Sequence, residues 1–140
     1  MKLSRRSVLA ALAFVAVSSA CKKEERCKTC GMRIDPASPW RAEIELDGGA
    51  KLSFDTPRCA LRAFRSGAHA AKRLRVQDYY DRAWLDAAEV RFVVGGDVVG
   101  PMGPDLVPVA PGRVTKFIQD HSADRAYSLD ELTAAALEKL

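Results

Sequence analysis

Alternating polar and apolar residues mark two strands early in the chain, with a turn sequence between them. Residues 41–46 alternate in this way, and residues 50–54 alternate again. Between them, Asp47-Gly48-Gly49 is typical of a tight hairpin turn. The pattern therefore predicts a β-hairpin.

A helix and a further strand are predicted after this hairpin. Asp55-Thr56-Pro57 is typical of a helix start, with proline near the first turn, and Gly67 predicts the helix end. Leu74 and Val76 then indicate another strand. The first half thus has the order strand, strand, helix, strand.

The second half repeats much of this pattern. Residues 89–94 predict a strong strand, followed by a turn at residues 95–97. Residues 106–109 are its expected partner, and Pro108 favours an edge position because proline has no N–H to donate. Residues 111–118 predict the second helix.

A last helix is expected at the C-terminus. Ser128 and Glu131 have the spacing of a capping box, which predicts a helix from there to Leu140. The strand, strand, helix, strand order seems to occur twice, over residues 40–87 and 88–140. The predicted fold class is therefore α+β: two small ββαβ units packed together, with a C-terminal helix.

The N-terminal segment has the pattern of an export signal rather than of a folded element. Residues 1–20 have a basic start, an uncharged run from residue 8 to residue 17, and small residues at the end. The run is shorter than the ~20 residues of a spanning helix. Arg5-Arg6 with its neighbours also resembles the twin-arginine export motif, so either export route is open.

Two processing reactions are compatible with the end of this signal. Ser18-Ser19-Ala20-Cys21 resembles a bacterial lipoprotein box, while Ser18-x-Ala20 also satisfies the rule for ordinary cleavage. The charged residues 22–26 favour lipidation of Cys21, since a lipid anchor needs a solvated tether before a folded domain. The sequence thus predicts an exported, periplasmic lipoprotein, with residues 21–39 as the tether and Cys-x-x-Cys segment.

Charge excludes nucleic acid as a partner. The chain has 22 basic and 18 acidic residues, a formal net charge of +4. Lys2, Arg5 and Arg6 lie in the predicted signal, and their removal leaves 19 basic residues against 18 acidic ones. A nearly neutral protein lacks the positive surface that nucleic-acid binding requires.

The chemistry-bearing segment is Cys27-Lys28-Thr29-Cys30-Gly31-Met32. A Cys-x-x-Cys pair is compatible with half a zinc site, a redox dithiol, a structural disulfide or a thiolate pair for a soft metal. No second pair follows, so zinc would need Cys59, His69 or His121 as further ligands. A redox site normally lies after a core strand, whereas this pair follows a tether.

Methionine favours the soft metal. The thioether of Met32 adds a donor that selects Cu(I) over hard cations, and Met102 lies in the loop Gly100-Pro101-Met102-Gly103-Pro104, where a core residue is not expected. His121, after the second predicted helix, is a candidate nitrogen donor. The predicted metal ligands are Cys27, Cys30, Met32, Met102 and His121.

These motifs resemble those of the nitrous oxide reductase accessory proteins, the NosL family. The resemblance covers Cys27-x-x-Cys30-Gly31-Met32 and the stretch from Val93-Val94-Gly95-Gly96-Asp97 to Gly100-Pro101-Met102-Gly103-Pro104. It implies a lipoprotein of two ββαβ units that binds Cu(I). It also implies delivery of Cu(I) to the copper-enzyme apoprotein, nitrous oxide reductase, or to its maturation transporter. Cys59 departs from the expected pattern by adding a thiol, which leaves other copper enzymes as possible recipients.

The competing hypothesis is an exported thiol-disulfide oxidoreductase that uses Cys27 and Cys30. Nothing in the sequence resembles an acid/base pair, a nucleophile elbow or a phosphate loop, so no hydrolytic or transferase function and no small-molecule substrate are expected. Thioethers have no use in dithiol exchange, which favours a non-enzymatic copper carrier.

Overall fold

The structure, a computed structural model, describes residues 23–140. The predicted export signal, residues 1–20, and the predicted lipidation site Cys21 lie outside the described residues. Within residues 23–140, no helix is long and apolar enough to cross a membrane.

The first unit is a four-stranded antiparallel sheet with one helix packed on it. Its strands follow the order β2-β1-β3-β4 across the sheet. The elements are β1 (Ala42–Leu46), β2 (Lys51–Phe54), α1 (Pro57–Arg65), β3 (Ala71–Gln77) and β4 (Trp84–Asp86). The predicted hairpin, helix and third strand are confirmed, and β4 extends the sheet at its far edge.

Local sequence explains why these elements form. Ala42 and Ile44 in β1 are fully buried, while the intervening Glu43 makes an ion pair with Lys51 on β2. Thr56 caps α1, because its hydroxyl accepts a hydrogen bond from the backbone N–H of Cys59 at 3.3 Å. Pro57 follows at the first helical position, where a missing N–H costs nothing.

The second unit has the same topology with an insertion. Its sheet follows the order β8-β5-β9, and a two-stranded hairpin, β6-β7, lies between the first two strands along the chain. Pro108 lies on the edge strand β8, as predicted. The elements are β5 (Arg91–Gly95), β6 (Val99–Gly100), β7 (Gly103–Pro104), β8 (Val107–Val109), α2 (Val114–His121) and β9 (Ala123–Tyr127).

The two ββαβ units match in detail. In each, the first strand pairs antiparallel with both the second and the last. The register of the last pairing shifts at the end of the first strand, between Glu45 and Leu46 in β1 and between Val94 and Gly95 in β5. The predicted α+β fold of two packed ββαβ units with a C-terminal helix is confirmed.

The predicted start of the last helix is wrong. Ser128 and Glu131 do form the reciprocal hydrogen bonds of a capping box, at 2.7 and 3.4 Å. However, α3 spans Ala134–Lys139, and Thr133 is its N-cap. The carbonyl of Leu132 instead accepts a 2.8 Å hydrogen bond from the Arg65 side chain on α1. This carbonyl bonds to another helix, and the Leu132 side chain is fully buried in the core. The capping box therefore closes a turn, and the helix begins only after Thr133.

One core joins the two units. Buried residues from both units and α3 form a single cluster, including Ile44, Phe54, Leu61, Phe92, Leu106 and Leu137. A smaller cluster around Phe117 fills the space between α2 and the second sheet. The continuous core fixes the loops of the second unit beside the start of α1.

Candidate metal centre

The Cys-x-x-Cys segment folds into a tight turn, which we call the cysteine turn (residues 25–34). The N–H of Cys27 donates to the carbonyl of Met32 at 2.8 Å, and the N–H of Gly31 donates to the carbonyl of Cys27 at 2.9 Å. Gly31 has a φ of +74°, a conformation that glycine adopts without strain. The N–H of Ile34 closes the turn on the carbonyl of Glu25 at 2.9 Å.

The cysteine turn is attached to the first unit by main-chain and side-chain hydrogen bonds. The N–H of Lys28 donates to the carbonyl of Ser53 on β2 at 3.3 Å. The hydroxyl of Thr29 donates to the carbonyl of Cys59 on α1 at 2.9 Å. These bonds hold the turn over the junction between β2 and α1.

This attachment brings three thiols and a carboxylate together. The ligand atoms of Cys27, Cys30, Asp55 and Cys59 all lie within 4.8 Å of one another, and we call these four residues the thiol cluster. Asp55 directly follows β2, and Cys59 lies in the first turn of α1. Cys27 and Cys59 are buried and Cys30 is half-buried, and all three are free thiols.

The cluster controls the protonation of its own thiols. A hydrogen bond from the Cys59 thiol lowers the pKa of Cys27 from 9.0 to about 6. The same bond, together with burial, raises the pKa of Cys59. Burial raises the pKa of Cys30, whose thiol lies 3.4 Å from each carboxylate oxygen of Asp55. At neutral pH Cys27 is therefore the thiolate, and thiolates rather than thiols bind metals.

The two predicted methionine ligands lie in exposed segments, one of which borders Asp55 of this cluster. Met32 is 41% exposed and Met102 is 56% exposed. Met32, Asp55 and Pro101 line one cavity of about 90 Å³, and Met102 directly follows Pro101. The structure thus places the two methionine segments on the same side of the thiol cluster.

A buried carboxylate fixes the Met102 loop to the first unit. Asp105 accepts hydrogen bonds from the N–H groups of Arg58, at 3.1 Å, and Leu106, at 2.6 Å. Burial raises the pKa of the Asp105 carboxyl group. Since Arg58 directly precedes Cys59 on α1, this contact couples the position of the loop to that of the cluster.

His121, the predicted nitrogen ligand, lies at the C-terminal end of α2. Its Nδ1 is 2.8 Å from a carboxylate oxygen of Asp97, and its ring packs against Phe117 and Tyr79. Within residues 23–140, His121 is not among the residues grouped at the thiol cluster. Its role as a ligand stays a prediction, and any metal would have to bind through Nε2.

The sequence predicted Cys27 and Cys30 as site residues, but it did not indicate Asp55. It indicated Cys59 only as a donor for a composite zinc site or as a departure from the family pattern. The missed signal is positional: Asp55 and Cys59 flank the predicted start of α1, at the end of the hairpin. Polar residues at a strand-to-helix junction are close in space whenever the helix folds back on its hairpin.

Comparison with known proteins identifies the family. A sequence profile named NosL matches residues 18–137 of the chain. This chain belongs to the NosL family. The match covers both ββαβ units and the Cys-x-x-Cys-Gly-Met segment. No curated protein matches the chain.

Two solved NosL structures are similar to this one. The copper chaperone NosL from Shewanella denitrificans, solved by crystallography, is 22% identical, with a TM-score of 0.67. The alignment covers 79% of this chain and 91% of that one. The apo-NosL protein from Achromobacter cycloclastes, solved by NMR, is 26% identical with a TM-score of 0.50, covering 69% of this chain and 87% of that one. The likeness to the crystal structure confirms the fold.

The donor set of this NosL protein fits a soft cation. Three sulfur atoms converge at the thiol cluster, and the exposed Met32 lines a cavity together with Asp55 of the cluster and Pro101, the neighbour of Met102. Thiolates and thioethers prefer Cu(I), whereas a structural zinc site is closed by four ligands of Cys, His or carboxylate type. With Asp55 as a fourth ligand the cluster also has the number of donors that a structural zinc site requires, and competition between Cu(I) and Zn(II) distinguishes the two.

Proposed function

We propose that this NosL-family protein is a Cu(I)-binding metallochaperone with no catalytic step of its own. The observation that carries the proposal is the convergence of three thiols beside a cavity that Met32, Asp55 and Pro101 line. Cys27 and Cys30 supply thiolates, while Met32 and Met102 supply exchangeable thioethers. A partly exposed sulfur shell suits a carrier, because the ion must pass to another protein.

The distribution of exposure and acidity disfavours the oxidoreductase alternative. Thiol-disulfide exchange needs an accessible thiolate. Here the thiol with the lowered pKa, Cys27, is only 3% exposed, and the more accessible Cys30 has a raised pKa. The thiol that a substrate disulfide could reach, Cys30, therefore remains protonated, and a protonated thiol is a poor nucleophile.

Anaerobic titration with Cu(I) tests the proposal. The reduced protein should retain one Cu(I) against a chromophoric Cu(I) chelator and should bind Zn(II) far more weakly, since its donors are mainly soft sulfur. An insulin-reduction assay on the same sample should show no activity. Equal or tighter zinc binding would contradict the copper proposal, and turnover in the insulin assay would support the oxidoreductase instead.

The proposed location is the periplasmic face of a membrane, with Cys21 lipidated after export. The support is the sequence of residues 1–26, in which a signal is followed by a charged tether. Mass spectrometry of the mature N-terminus in the native host should find an acylated Cys21. The variant Cys21→Ser should lose membrane partitioning or remain uncleaved. An unmodified Cys21 would contradict the anchor and leave the copper proposal intact.

The proposed recipient is nitrous oxide reductase or its maturation transporter. The support is membership of the NosL family together with the resemblance of the two methionine motifs. Deleting the gene in the native host should yield a nitrous oxide reductase deficient in its catalytic copper, measured as copper per protein and as N₂O reduction. Full copper loading in the deletion strain would indicate a different recipient enzyme.

A further inference from the structure

Cys59 belongs to neither methionine motif, yet it contributes one of the three sulfurs of the thiol cluster. Its side chain is 5% exposed, comparable to the 3% of Cys27. A buried thiol can serve simply as a small apolar residue. Three features of its surroundings indicate a different role: the distances to the other sulfurs, the rigidity of its backbone and the exposure of its neighbours.

The first feature is distance. Two sulfurs bound at about 2.3 Å to one ion lie roughly 3.8 to 4.6 Å apart, depending on the bond angle. The ligand atoms of Cys27, Cys30 and Cys59 all lie within 4.8 Å of one another. Small side-chain adjustments are enough to place one ion between all three sulfurs.

The second feature is rigidity. The N–H of Cys59 is held by the Thr56 hydroxyl at 3.3 Å, and its carbonyl accepts a hydrogen bond from Thr29 of the cysteine turn at 2.9 Å. The Thr29 bond ties α1 directly to the segment between Cys27 and Cys30. A backbone fixed in this way presents a preorganised ligand, which lowers the entropic cost of binding.

The third feature is a gradient of exposure across the sulfurs. Cys27 and Cys59 form a buried inner pair, Cys30 is half-buried, and Met32 is 41% exposed. Exposure to solvent therefore increases from the two inner thiols through Cys30 to the thioether of Met32. An ion bound to Cys30 can be retained on the inner side and exchanged on the outer side.

We propose that Cys59 is a copper ligand, which completes a site of three thiolates with Cys27 and Cys30. The proposal rests on the proposed function, because it takes Cu(I) as the bound ion. Binding forms bonds from Cu(I) to the three sulfurs and releases to the buffer the protons that these thiols carry. No electron is transferred. The inner thiolates retain the ion, and the thioethers of Met32 and Met102 contact it from the outer side during release.

The test compares variants of the full reduced chain in anaerobic buffer. Cys59→Ser keeps the side-chain size and replaces sulfur with oxygen, a poor Cu(I) ligand, and Cys59→Ala is the second variant in case serine disturbs folding. Thr56→Ala is the matched control, since it weakens the same helix start without removing a sulfur. X-ray absorption counts the sulfurs bound to copper, chelator competition measures affinity, and circular dichroism checks the fold.

We expect the Cys59 variants to lose one bound sulfur and to bind Cu(I) at least about 100-fold more weakly, because even residues that only orient ligands contribute about 10- to 100-fold. Thr56→Ala should keep the wild-type sulfur count. A folded Cys59→Ser or Cys59→Ala protein with unchanged sulfur count and affinity would overturn the inference.

The wild-type protein and a zinc titration separate this inference from the proposed function. A wild-type chain that binds Zn(II) in preference to Cu(I) contradicts the copper chaperone. In that case, a loss of Zn(II) affinity in Cys59→Ser still identifies Cys59 as a metal ligand, and no loss overturns the inference as well. Failure restricted to the Cys59 variants, with copper bound normally by wild type, rejects only the role of Cys59.

Discussion

The two ββαβ units share a scaffold and differ in where chemistry is attached to it. Both have the same strand order, and both shift register at the end of the first strand. In the first unit, a short turn at residues 47–50 joins the first two strands. In the second, residues 96–106 at the equivalent place carry the β6-β7 hairpin and Met102.

The starts of the two helices also differ, and here the additional features are in the first unit. α1 has a side-chain cap, Thr56, and carries Cys59 in its first turn. α2 follows a short 3₁₀ turn and has no side-chain cap. The second unit contains no cysteine at all. One scaffold thus places a thiol, Cys59, at a helix start in the first unit and a thioether, Met102, on an inserted hairpin in the second. The remaining sulfurs, Cys27, Cys30 and Met32, lie in the cysteine turn.

The largest effect should come from removing a thiol of the cysteine turn, which is attached to the first unit. Cys30→Ser should weaken Cu(I) binding by more than about 100-fold, because Cys30 is one of the three converging thiols and, unlike the other two, is only half-buried. His121→Ala is the corresponding change in the second unit and should cost less, since the Nδ1 of His121 is already paired with Asp97. Chelator competition measures both. Equal losses would mean that the second unit contributes as much binding as the first.

The next effect is the pH dependence of stability and of Cu(I) binding, which arises from the ionisation of Cys27 in the thiol cluster. The pKa of Cys27 is lowered to about 6, so its thiolate should form with a midpoint near pH 6. Because this folded value lies below the ordinary one, the ionised thiol stabilises the fold most above the unfolded pKa. That stabilisation is lost as the pH falls through about 6.

Ultraviolet absorbance of the thiolate checks the midpoint. Cys59→Ala removes the thiol that donates to Cys27 and should move the midpoint upward. The Cu(I) affinity of the wild type should decline more steeply below pH 6 than above it, since protons then compete for Cys27. A wild-type midpoint near the ordinary thiol pKa would contradict the proposed thiolate.

A smaller effect should follow loss of one thioether, either Met32 in the cysteine turn or Met102 in the second unit. Met32→Leu and Met102→Leu conserve volume, so each should cost less than about 1.5 kcal/mol of stability. Each should weaken Cu(I) binding by about 10-fold or less, as expected for exchangeable donors. Val99→Ala on the same hairpin as Met102 is the control, because it removes exposed apolar surface without removing sulfur. Wild-type affinity and an unchanged sulfur shell in both methionine variants would exclude thioether ligation.

The smallest effect concerns the helix caps. Thr56→Ala and Thr133→Ala should each destabilise the fold by about 1 kcal/mol in chemical denaturation, because each removes a side-chain acceptor at a helix start. Only Thr56 lies next to the thiol cluster. A measurable weakening of Cu(I) binding is therefore expected for Thr56→Ala alone, and the same weakening in Thr133→Ala would show that binding merely follows global stability.

Much of the scaffold was predictable because period-2 alternation and turn residues act locally. The hairpin at residues 41–54, α1 and the edge position of Pro108 all follow from short-range chemistry. The strand β9 could not be located in the sequence, because ADRAY alternates only weakly between polar and apolar residues. Three of its five residues are partly buried and the other two are exposed. The capping box at Ser128 misled because a long-range partner, Arg65, takes the carbonyl of Leu132.

The candidate site was predictable only in part. The Cys-x-x-Cys pair and the two methionines stand out by residue type. The convergence of Cys59 and Asp55 on that pair depends on how the cysteine turn folds back over the β2-α1 junction, through hydrogen bonds from Lys28 and Thr29. No local pattern encodes such a contact between segments about 30 residues apart.

The attachment of the cysteine turn to β2 has a consequence for solubility. β2 is an edge strand, and an edge strand offers free main-chain groups to which a strand of another molecule can add. The N–H of Lys28 occupies the carbonyl of Ser53, and Glu25 bonds the Ser53 side chain. The segment that carries Cys27 and Cys30 thus also covers the sheet edge, so damage that unfolds this segment exposes the edge of β2 at the same moment as it takes apart the thiol cluster.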